Sequence, residues 1–321
     1  MRISRRIMTA SLLLGPFAAG AQTRYPDRPV RVIVPFGPGG LADVTMRIIG
    51  DKLGQQFGQQ ILVVNQPGGA GAIAARNVIS SAADGYTLAL LTNGTAVSAA
   101  AIRSLGFNPM ADFVPVSSLG FFEFVVATSK EHSYHSFADL LKAARDNPGK
   151  LNIGTILPGS TQHLSAVLLR TLARAEMTIV PFRTTGDAIT ALLRKDVDVI
   201  IDGFSATGAM ISDGQIRALA TTGAQRSSVL PDVPTVIEAG IADFDVTSWN
   251  ALFAPVGTPP AIIDALNAGL RTAITDANVT RRLIELGITA RASSPEEIGA
   301  RLGADIIRWT EVVNRTGIER L

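Results

Sequence analysis

The chain alternates short apolar runs with longer segments in which apolar residues recur at helical spacing. Runs of β-branched residues predict strands, and spacings of three and four residues predict amphipathic helices. The predicted strands are Val30–Val34, Ile61–Val64, Thr87–Leu91, Val125–Thr128, Leu151–Thr155, Ile179–Phe182, Val197–Ile201 and Ile216–Thr221. The predicted helices are Ala42–Phe57, Ala72–Ser81, Phe137–Asp146, Gln162–Ala173, Ala261–Asp276 and Pro295–Thr316. This alternation predicts an α/β fold with two mainly parallel sheets.

The pattern changes in the last third of the chain. After Gly223, segments rich in proline and glycine replace the regular alternation, and two amphipathic helices follow. A chain that leaves one lobe and later returns to it explains this change better than one continuous domain. We therefore expect a first lobe made of residues 22–123 and 225–321, with a second lobe inserted at 124–224. Such a topology places a ligand cleft at the hinge between the lobes.

The N-terminus has the composition of a secretory signal peptide. Three arginines precede a mostly apolar run at residues 7–18, and Ala19-Gly20-Ala21 fits a cleavage site. We expect the segment 1–21 to be removed near Ala21, so that the mature protein is secreted. An uncleaved anchor is the alternative, although the apolar run is short for a membrane span.

Charge and cysteine content exclude several classes of function. The signal segment holds three of the 29 basic residues, so the mature chain has 26 of them against 27 acidic residues. This balance gives no electrostatic basis for nucleic-acid binding. The chain has no cysteine, which excludes disulfides and thiolate chemistry. Its three histidines, His132, His135 and His163, form no zinc-site spacing and leave few candidates for a catalytic triad.

Residues 30–47 carry the clearest functional signal. A β-branched run leads into a glycine-rich loop at 35–40, and a helix is predicted to start near Leu41. Such a helix presents free backbone N–H groups and the positive end of its dipole, which attract anions. The alternative is that the glycines serve only a tight turn. Asp43 either binds a ligand directly or pairs with Arg47, four residues further on.

A second loop of the same kind spans residues 152–163. A strand leads through glycine, proline, serine and threonine into a helix. Ser160 or Thr161 either caps that helix or directs its hydroxyl at an anion. His163 falls in the first helical turn, as a structural residue or as a ligand contact. If the two loops face each other, their neutral backbone donors can hold one carboxylate between them.

Two charged residues follow later strands. Arg183 either reaches the far end of a ligand or is a solvated surface residue. Asp202 follows the strand Val197–Ile201, at the edge where ligands bind in such sheets. Its carboxylate either accepts a hydrogen bond from a ligand amino group or caps the next turn.

Two motifs that suggest other functions are incomplete. Gly69–Ala74 fits G-x-G-x-x-A, but the next strand ends in Thr92-Asn93, without the acid that binds a ribose. Gly203–Thr207 lacks the last glycine of a nucleophile elbow. We therefore expect no nucleotide cofactor, and a protein that binds its ligand without transforming it.

Ordered motifs along the whole mature chain resemble one known family, the Bug-type (TctC-like) extracytoplasmic solute-binding proteins of tripartite tricarboxylate transporters. The motifs are Tyr25–Pro29, Val34–Gly40 with Asp43 and Arg47, Asn65–Gly71, Asp84–Leu88, Pro158–Ser160 with His163, Pro231–Thr235, Glu238–Gly240, Trp249, Ala254-Pro255, Gly257–Pro259 and Trp309. Each motif alone is moderately specific, whereas the ordered set is highly specific.

The resemblance implies a two-lobed periplasmic binding protein of the type II-like α/β fold. It implies closure on a small organic carboxylate and delivery of that carboxylate to membrane permease subunits. We expect no cofactor, no metal, no nucleic-acid partner and a monomer. The residues expected to bind the ligand are Phe36, Gly37, Pro38, Gly39, Gly40, Leu41, Ala42, Asp43, Thr92, Asn93, Thr155, Pro158, Gly159, Ser160, Thr161, His163, Arg183 and Asp202.

Three departures from the family pattern bear on the ligand. Leu41-Ala42 replaces a hydroxyl-bearing pair, Phe182-Arg183 lacks a phenol, and Thr155–Leu157 is bulkier than the usual glycine-rich run. These changes predict a monocarboxylate or an aromatic carboxylate in preference to citrate. A sensory protein that signals through a membrane partner is the alternative to a transport protein.

Overall fold

The computed structural model describes residues 25–158, 160–317 and 320. The predicted signal peptide at 1–21 and Gly159 of the second loop lie outside these ranges.

Strands and helices alternate through the described part of the chain. The strands are β1 (Val30–Val34), β2 (Ile61–Asn65), β3 (Thr87–Thr92), β4 (Phe113–Ser129), β5 (Leu151–Ile156), β6 (Met177–Phe182), β7 (Val199–Gly203), β8 (Ile216–Thr221), β9 (Thr247–Pro255) and β10 (Thr289–Ala290). The helices are α1 (Leu41–Phe57), α2 (Ala72–Ile79), α3 (Asn93–Ala101), α4 (Phe137–Asp146), α5 (Thr161–Ala173), α6 (Thr185–Arg194), α7 (Phe204–Ser212), α8 (Pro260–Ile274), α9 (Ala277–Ile284) and α10 (Pro295–Thr316).

The first sheet has the strand order β2-β1-β3-β9-β4. Strand β1 runs parallel to both of its neighbours, with Val32 opposite Val63 and Ile33 opposite Ala89. Strand β9 is antiparallel to β3 and to the first part of β4, and the short β10 also pairs with β4. The first sheet therefore takes its strands from both ends of the chain.

The second sheet begins on the same long strand, β4. From Phe124 onward, β4 pairs antiparallel with β7 and β8. Strand β5 lies between β6 and β7 and is parallel to both. The chain returns after β8 at Thr222, whose hydroxyl accepts from the Phe124 N–H and donates to the Val246 carbonyl, each at 2.8 Å. These hydrogen bonds join the outgoing and returning segments where the sheets meet.

The α/β class is confirmed, but the prediction of mainly parallel sheets is wrong for the strands that link them. Strand β4 carries the chain out of the first sheet, and β9 follows its return, so the two run in opposite directions. Strands β7 and β8 run back toward the first sheet, against the continuing β4. Each sheet is therefore mixed, with parallel pairing kept among β1–β3 and among β5–β7.

Side-chain caps define several helix ends. Ser136 and Asp139 form a capping box at the start of α4, and Ser294 and Glu297 form another at α10. Helix α1 ends at Phe57 and is followed by Gly58, whose φ of +66° suits the left-handed cap position. The predicted bounds of α4 and α10 are confirmed.

Sequence patterning missed several elements, of which α3 and the first part of β4 lack a clear periodicity. Helix α3 consists almost entirely of small residues and is buried on most of its sides, so it shows no apolar stripe. Helices α6, α7 and α9 and the first part of β4 were also not predicted. In β4, Ser117 and Ser118 interrupt the apolar pattern, and their hydroxyls donate to carbonyls of Ser293 and Arg291.

The core continues from the first sheet into the second. Trp249 of β9 and Trp309 of α10 are fully buried, and α10 packs against α3, α5 and β4. A smaller apolar cluster lies between β7 and α6. In the described ranges, every helix is too short or too polar to cross a lipid bilayer.

Candidate functional site: a cleft between two sets of strand ends

Parallel strands bring several helix N-termini to two edges. Strands β1 and β3 end at one edge of the first sheet, where α1 and α3 begin. Strands β5, β6 and β7 end at one edge of the second sheet, where α5, α6 and α7 begin. Because a helix N-terminus carries free N–H groups and partial positive charge, both edges favour anions.

Two contacts show that these edges face each other. The hydroxyl of Thr161, the first residue of α5, lies 3.3 Å from Oδ1 of Asn93, the first residue of α3. The Leu41 side chain, at the start of α1, would lie 3.7 Å from a Cβ placed on Gly203 at the end of β7. The cleft between the edges is therefore lined by helix starts from both sheets.

The loop before α1 presents its backbone to this cleft. Phe36, Pro38, Gly39 and Gly40 are exposed, and a Cβ placed on Gly37 or Gly39 would meet open space. Gly39 has a φ of +79°, which a residue with a side chain adopts only with strain. Gly40 is the N-cap and supplies no side-chain acceptor to the first amides of α1. Those amides are thus available to an anion.

Asp43 is buried, and its carboxylate is fully engaged with the protein. The Arg47 Nε donates to both carboxylate oxygens at 3.0 Å, and the Gly39 N–H donates to Oδ2 at 2.9 Å. Asn65 Nδ2 donates to Oδ1 at 2.9 Å and to the Phe36 carbonyl at 3.0 Å. Of the two roles open for Asp43, the structure shows the ion pair with Arg47.

These bonds also determine the charge state of Asp43. Burial opposes its ionisation, but the hydrogen bonds from Arg47, the Gly39 N–H and Asn65 outweigh burial and hold the pKa of the carboxyl below its ordinary value. The ionised carboxylate ties the loop to α1 and β2. Asp43 is therefore a residue that positions the loop.

Thr92 and Asn93 lie at the first edge, but their side chains are also occupied. Thr92 caps α3 by accepting from the Gly94 N–H at 3.1 Å. Buried Asn93 donates to Asp305 at 2.9 Å and accepts from the Trp309 Nε1 at 3.2 Å. Since both side chains are engaged, the backbone at the start of α3 is the part of these residues that can contact a ligand in the cleft.

Asp305 is a residue that sequence reasoning missed. Its Oδ2 accepts from Trp249 Nε1 at 2.6 Å, Arg301 Nε at 2.9 Å and Asn93 Nδ2. The network fixes the start of α3 against α10 and β9. The only sequence signal was the spacing of Arg301, Asp305 and Trp309, which repeats every four residues and so lies on one helix face.

In the second loop, the capping role of Ser160 is the one observed. Its hydroxyl accepts from the His163 N–H at 3.1 Å, as expected of an N-cap residue. Thr155 is buried and Thr161 contacts Asn93, whereas Pro158 is exposed.

His163 is half-buried in the first turn of α5. Its pKa is lowered, first by burial and then by the charge of Arg170, so the neutral ring is favoured. Its Nδ1 has no hydrogen-bond partner among the described residues. The structure thus offers a neutral histidine close to the start of α5.

Asp202, at the end of β7, contacts the starts of three helices. Its Oδ2 accepts from the Thr185 hydroxyl at 2.7 Å, and Oδ1 accepts from the Gly203 N–H at 2.7 Å and from Gln162 Nε2 at 3.3 Å. The bond to Gly203 lies just before α7, whose N-cap is Gly203 without a side-chain cap, so the predicted capping role of Asp202 is not observed. Burial raises the pKa of Asp202, and the three hydrogen bonds offset only part of that increase.

The other predicted site residues occupy different environments. Arg183 is exposed and lies two residues before the start of α6, Leu41 is partly buried, and Ala42 is buried against the core. Ligand contact by any of the predicted site residues stays a prediction.

The two sheets joined by two chain segments, with facing strand ends lined by helix N-termini, define a periplasmic-binding-protein fold. The family model of the tripartite tricarboxylate transporter family receptor, TctC, matches residues 45–318. The chain belongs to this family, whose members are solute-binding proteins, and the predicted resemblance is confirmed.

Individual relatives are similar over nearly the whole chain. The BugT protein of Bordetella pertussis is 33% identical over 295 residues, which cover 91% of this chain and 90% of BugT. Rpa4515 of R. palustris, solved with adipate, has a TM-score of 0.85 at 33% identity and covers 92% of this chain and 100% of its own. MatC from Rhodopseudomonas palustris, solved with bound malate, has a TM-score of 0.81 at 32% identity and covers 90% and 100%.

Proposed function

We propose that this protein is a periplasmic solute-binding protein that captures a small carboxylate between two lobes and delivers it to a tripartite tricarboxylate-type membrane transporter. The observation that carries the proposal is the facing of helix N-termini across the cleft, as marked by the contact between Thr161 and Asn93. Neutral backbone donors on both sides suit a carboxylate, because they hold the anion without an additional buried charge.

The ligand carboxylate is bound mainly by backbone amides. On one side these belong to the loop 36–40 and the start of α1, and on the other to the start of α5. Asp43, Asn93, Ser160 and Thr161 act by holding these backbone segments in place, since their polar atoms are engaged elsewhere. The adipate and malate bound by the two neighbouring structures support a carboxylate ligand.

Capture requires relative movement of the lobes. We assign residues 22–123 and 225–321 to the first lobe and 124–224 to the second, with the hinge at the segments joined through Thr222. The two crossing segments there permit closure by a hinge motion. The protein acts as a monomer, without a catalytic step, after export and removal of the segment 1–21.

A thermal-shift screen of the purified mature protein tests the proposal. The panel contains mono-, di- and tricarboxylates, aromatic acids and neutral sugars of similar size. A carboxylate present at 100 times its Kd adds about 2.7 kcal/mol to the free energy of unfolding. We expect shifts confined to carboxylates. A folded protein, free of co-purified ligand, that responds to no carboxylate contradicts the proposed function.

Transport is tested separately from binding. In a strain that takes up the identified carboxylate through the transporter, deletion of the gene for this protein should abolish uptake at low substrate concentration. Re-expression of the wild-type chain should restore it. Unchanged uptake together with lost transcriptional induction by the same carboxylate would favour the sensory alternative.

A further inference from the structure

Asp202 differs from every other acid at the cleft in the environment of its charge. It is 6% exposed and lies at the end of β7, one residue before the point that faces Leu41 of the opposite edge. Its oxygens accept from Thr185, Gly203 and Gln162, which are all neutral donors. Among the described residues, no Lys, Arg or His forms an ion pair with it.

The neutral donors do not fully stabilise this charge. Burial is the largest influence on Asp202 and favours the protonated carboxyl, and the hydrogen bonds counteract it only in part. A buried acid without a counter-ion is costly in the ligand-free protein. A cation brought in by a ligand would remove that cost.

The position of Asp202 also divides the cleft electrostatically. The starts of α6 and α7 face Asp202 through Thr185 and Gly203, so their partial positive charge already interacts with a protein carboxylate. The loop 36–40 and the start of α1 have no such acid, because Asp43 is neutralised by Arg47. A ligand carboxylate is therefore favoured at the α1 end and a second carboxylate is disfavoured near β7.

We propose that Asp202 forms a subsite for a ligand ammonium group, so that the chain binds an aminated carboxylate, with its carboxylate at the α1 loop and its ammonium at the end of β7. This inference rests on the proposed function and narrows its ligand class. The other titratable groups near this end of the cleft are the exposed Arg183 and Asp187 and the half-buried His163. None of them combines burial with a negative charge.

Matched ligand pairs test the subsite. The pairs are butyrate with 4-aminobutyrate, propionate with β-alanine, and succinate with aspartate, each titrated by calorimetry into the mature wild-type protein. We expect the aminated member of at least one pair to bind about tenfold more tightly, as one charge-assisted hydrogen bond allows. In Asp202→Asn that preference should disappear, while the non-aminated partner binds as well as before or better.

Asp187→Asn is the control, because Asp187 is an exposed acid on the first turn of α6 and forms its hydrogen bonds with Thr184. It should keep the wild-type preference. Circular dichroism and a thermal melt verify that both variants fold. Equal or tighter binding of every non-aminated acid by the wild type overturns the subsite and leaves the carboxylate function standing. Equal losses for both members of a pair in Asp202→Asn also overturn it, and no binding by any acid overturns both proposals.

Discussion

Two buried carboxylates lie on opposite sides of the cleft, and their environments are opposite. Asp43 has Arg47 within hydrogen-bond distance and a lowered pKa, whereas Asp202 has neutral donors alone among the described residues and a raised pKa. Both residues are almost inaccessible to solvent. Burial alone therefore does not determine what a carboxylate does in this molecule; the presence of a cation decides it.

The different environments of Asp43 and Asp202 give the two edges different roles in the proposed binding mode. A paired carboxylate contributes to stability and leaves the surrounding backbone amides available to an external anion. A buried carboxylate without a counter-ion lowers the stability of the protein, and a cation that binds beside it removes this cost. In the proposed binding mode, the ligand carboxylate is therefore held at the start of α1, and the ligand ammonium group is bound beside Asp202 at the end of β7.

The largest expected effect comes from removing the paired acid. Asp43→Asn should lower the free energy of unfolding by about 3 kcal/mol, because the hydrogen bonds from Arg47 lose their charged acceptor and the amide brings an unmatched donor. Chemical denaturation at pH 7 measures this loss. Asp51→Asn, an exposed acid on the same helix, is the control and should change stability little. Equal stability of the two variants would show that the Asp43 network does not stabilise the loop.

Asp202→Asn should change stability less than Asp43→Asn, and in the opposite direction. It should raise the melting temperature of the ligand-free protein at pH 7, because the amide oxygen still accepts from Gly203 and Gln162, the amide nitrogen donates to the Thr185 hydroxyl, and no charge is buried. Since the pKa of folded Asp202 is raised, its ionisation destabilises the protein as pH rises above the unfolded value of about 3.9. The advantage of the variant should therefore shrink as the pH is lowered toward 4.

Asp43 should show the reverse pH dependence. Its folded pKa is lowered, so its contribution to stability is complete above about pH 4 and disappears as the pH falls through the folded value. The difference in melting temperature between the wild type and Asp43→Asn should thus narrow only under strongly acidic conditions. If the difference in melting temperature between variant and wild type changed with pH in the same way for both acids, the contrast between the two edges would be contradicted.

The glycines of the first loop give a still smaller effect. Gly39→Ala should cost about 1 kcal/mol, because the φ of +79° strains a residue with a Cβ. Gly37→Ala is a matched control, since Gly37 has open space and no positive φ. Denaturation midpoints of the two variants measure the difference. If both alanines are neutral, the loop is free to adopt another conformation.

The smallest effect concerns the contact that joins the edges. Thr161→Val should lower stability by about 0.5 kcal/mol, because it removes the hydroxyl that lies 3.3 Å from Asn93 and keeps the side-chain volume. Thr190→Val, an exposed threonine on α6, serves as control. If Thr161→Val lost more stability than Asp43→Asn, the contact between the edges would contribute more to the free energy of unfolding than the Asp43 network does.

Sequence patterning predicted most of the strands and six helices, but it missed α3, which has no apolar stripe, as well as α6 and α9, which are amphipathic. The bounds of α4 and α10 follow from amphipathic spacing and capping boxes. Helix α3 escaped prediction because its small residues are buried on most of their sides. The first part of β4 escaped because Ser117 and Ser118 find their partners in the segment 291–293, far along the chain.

The site was predicted to a similar extent. The loop 35–40 and the loop 152–163 were found from the local order of strand, glycine or proline, and helix. The hydrogen bonds of the Asn93 side chain with Asp305 and Trp309 were not predicted, because those partners are more than 200 residues away in the chain.

Local sequence specifies several parts of this protein: the strands that end in glycine-rich loops, the free amides at the start of α1, and the Asp43–Arg47 pair at helical spacing. The fold, in contrast, brings the two edges face to face and Thr161 against Asn93, and it leaves Asp202 without a cation among the residues that the structure describes. The physical reason is that local hydrogen bonds depend on neighbours in the chain. The pairing of a buried charge instead depends on which distant side chains the fold brings to it.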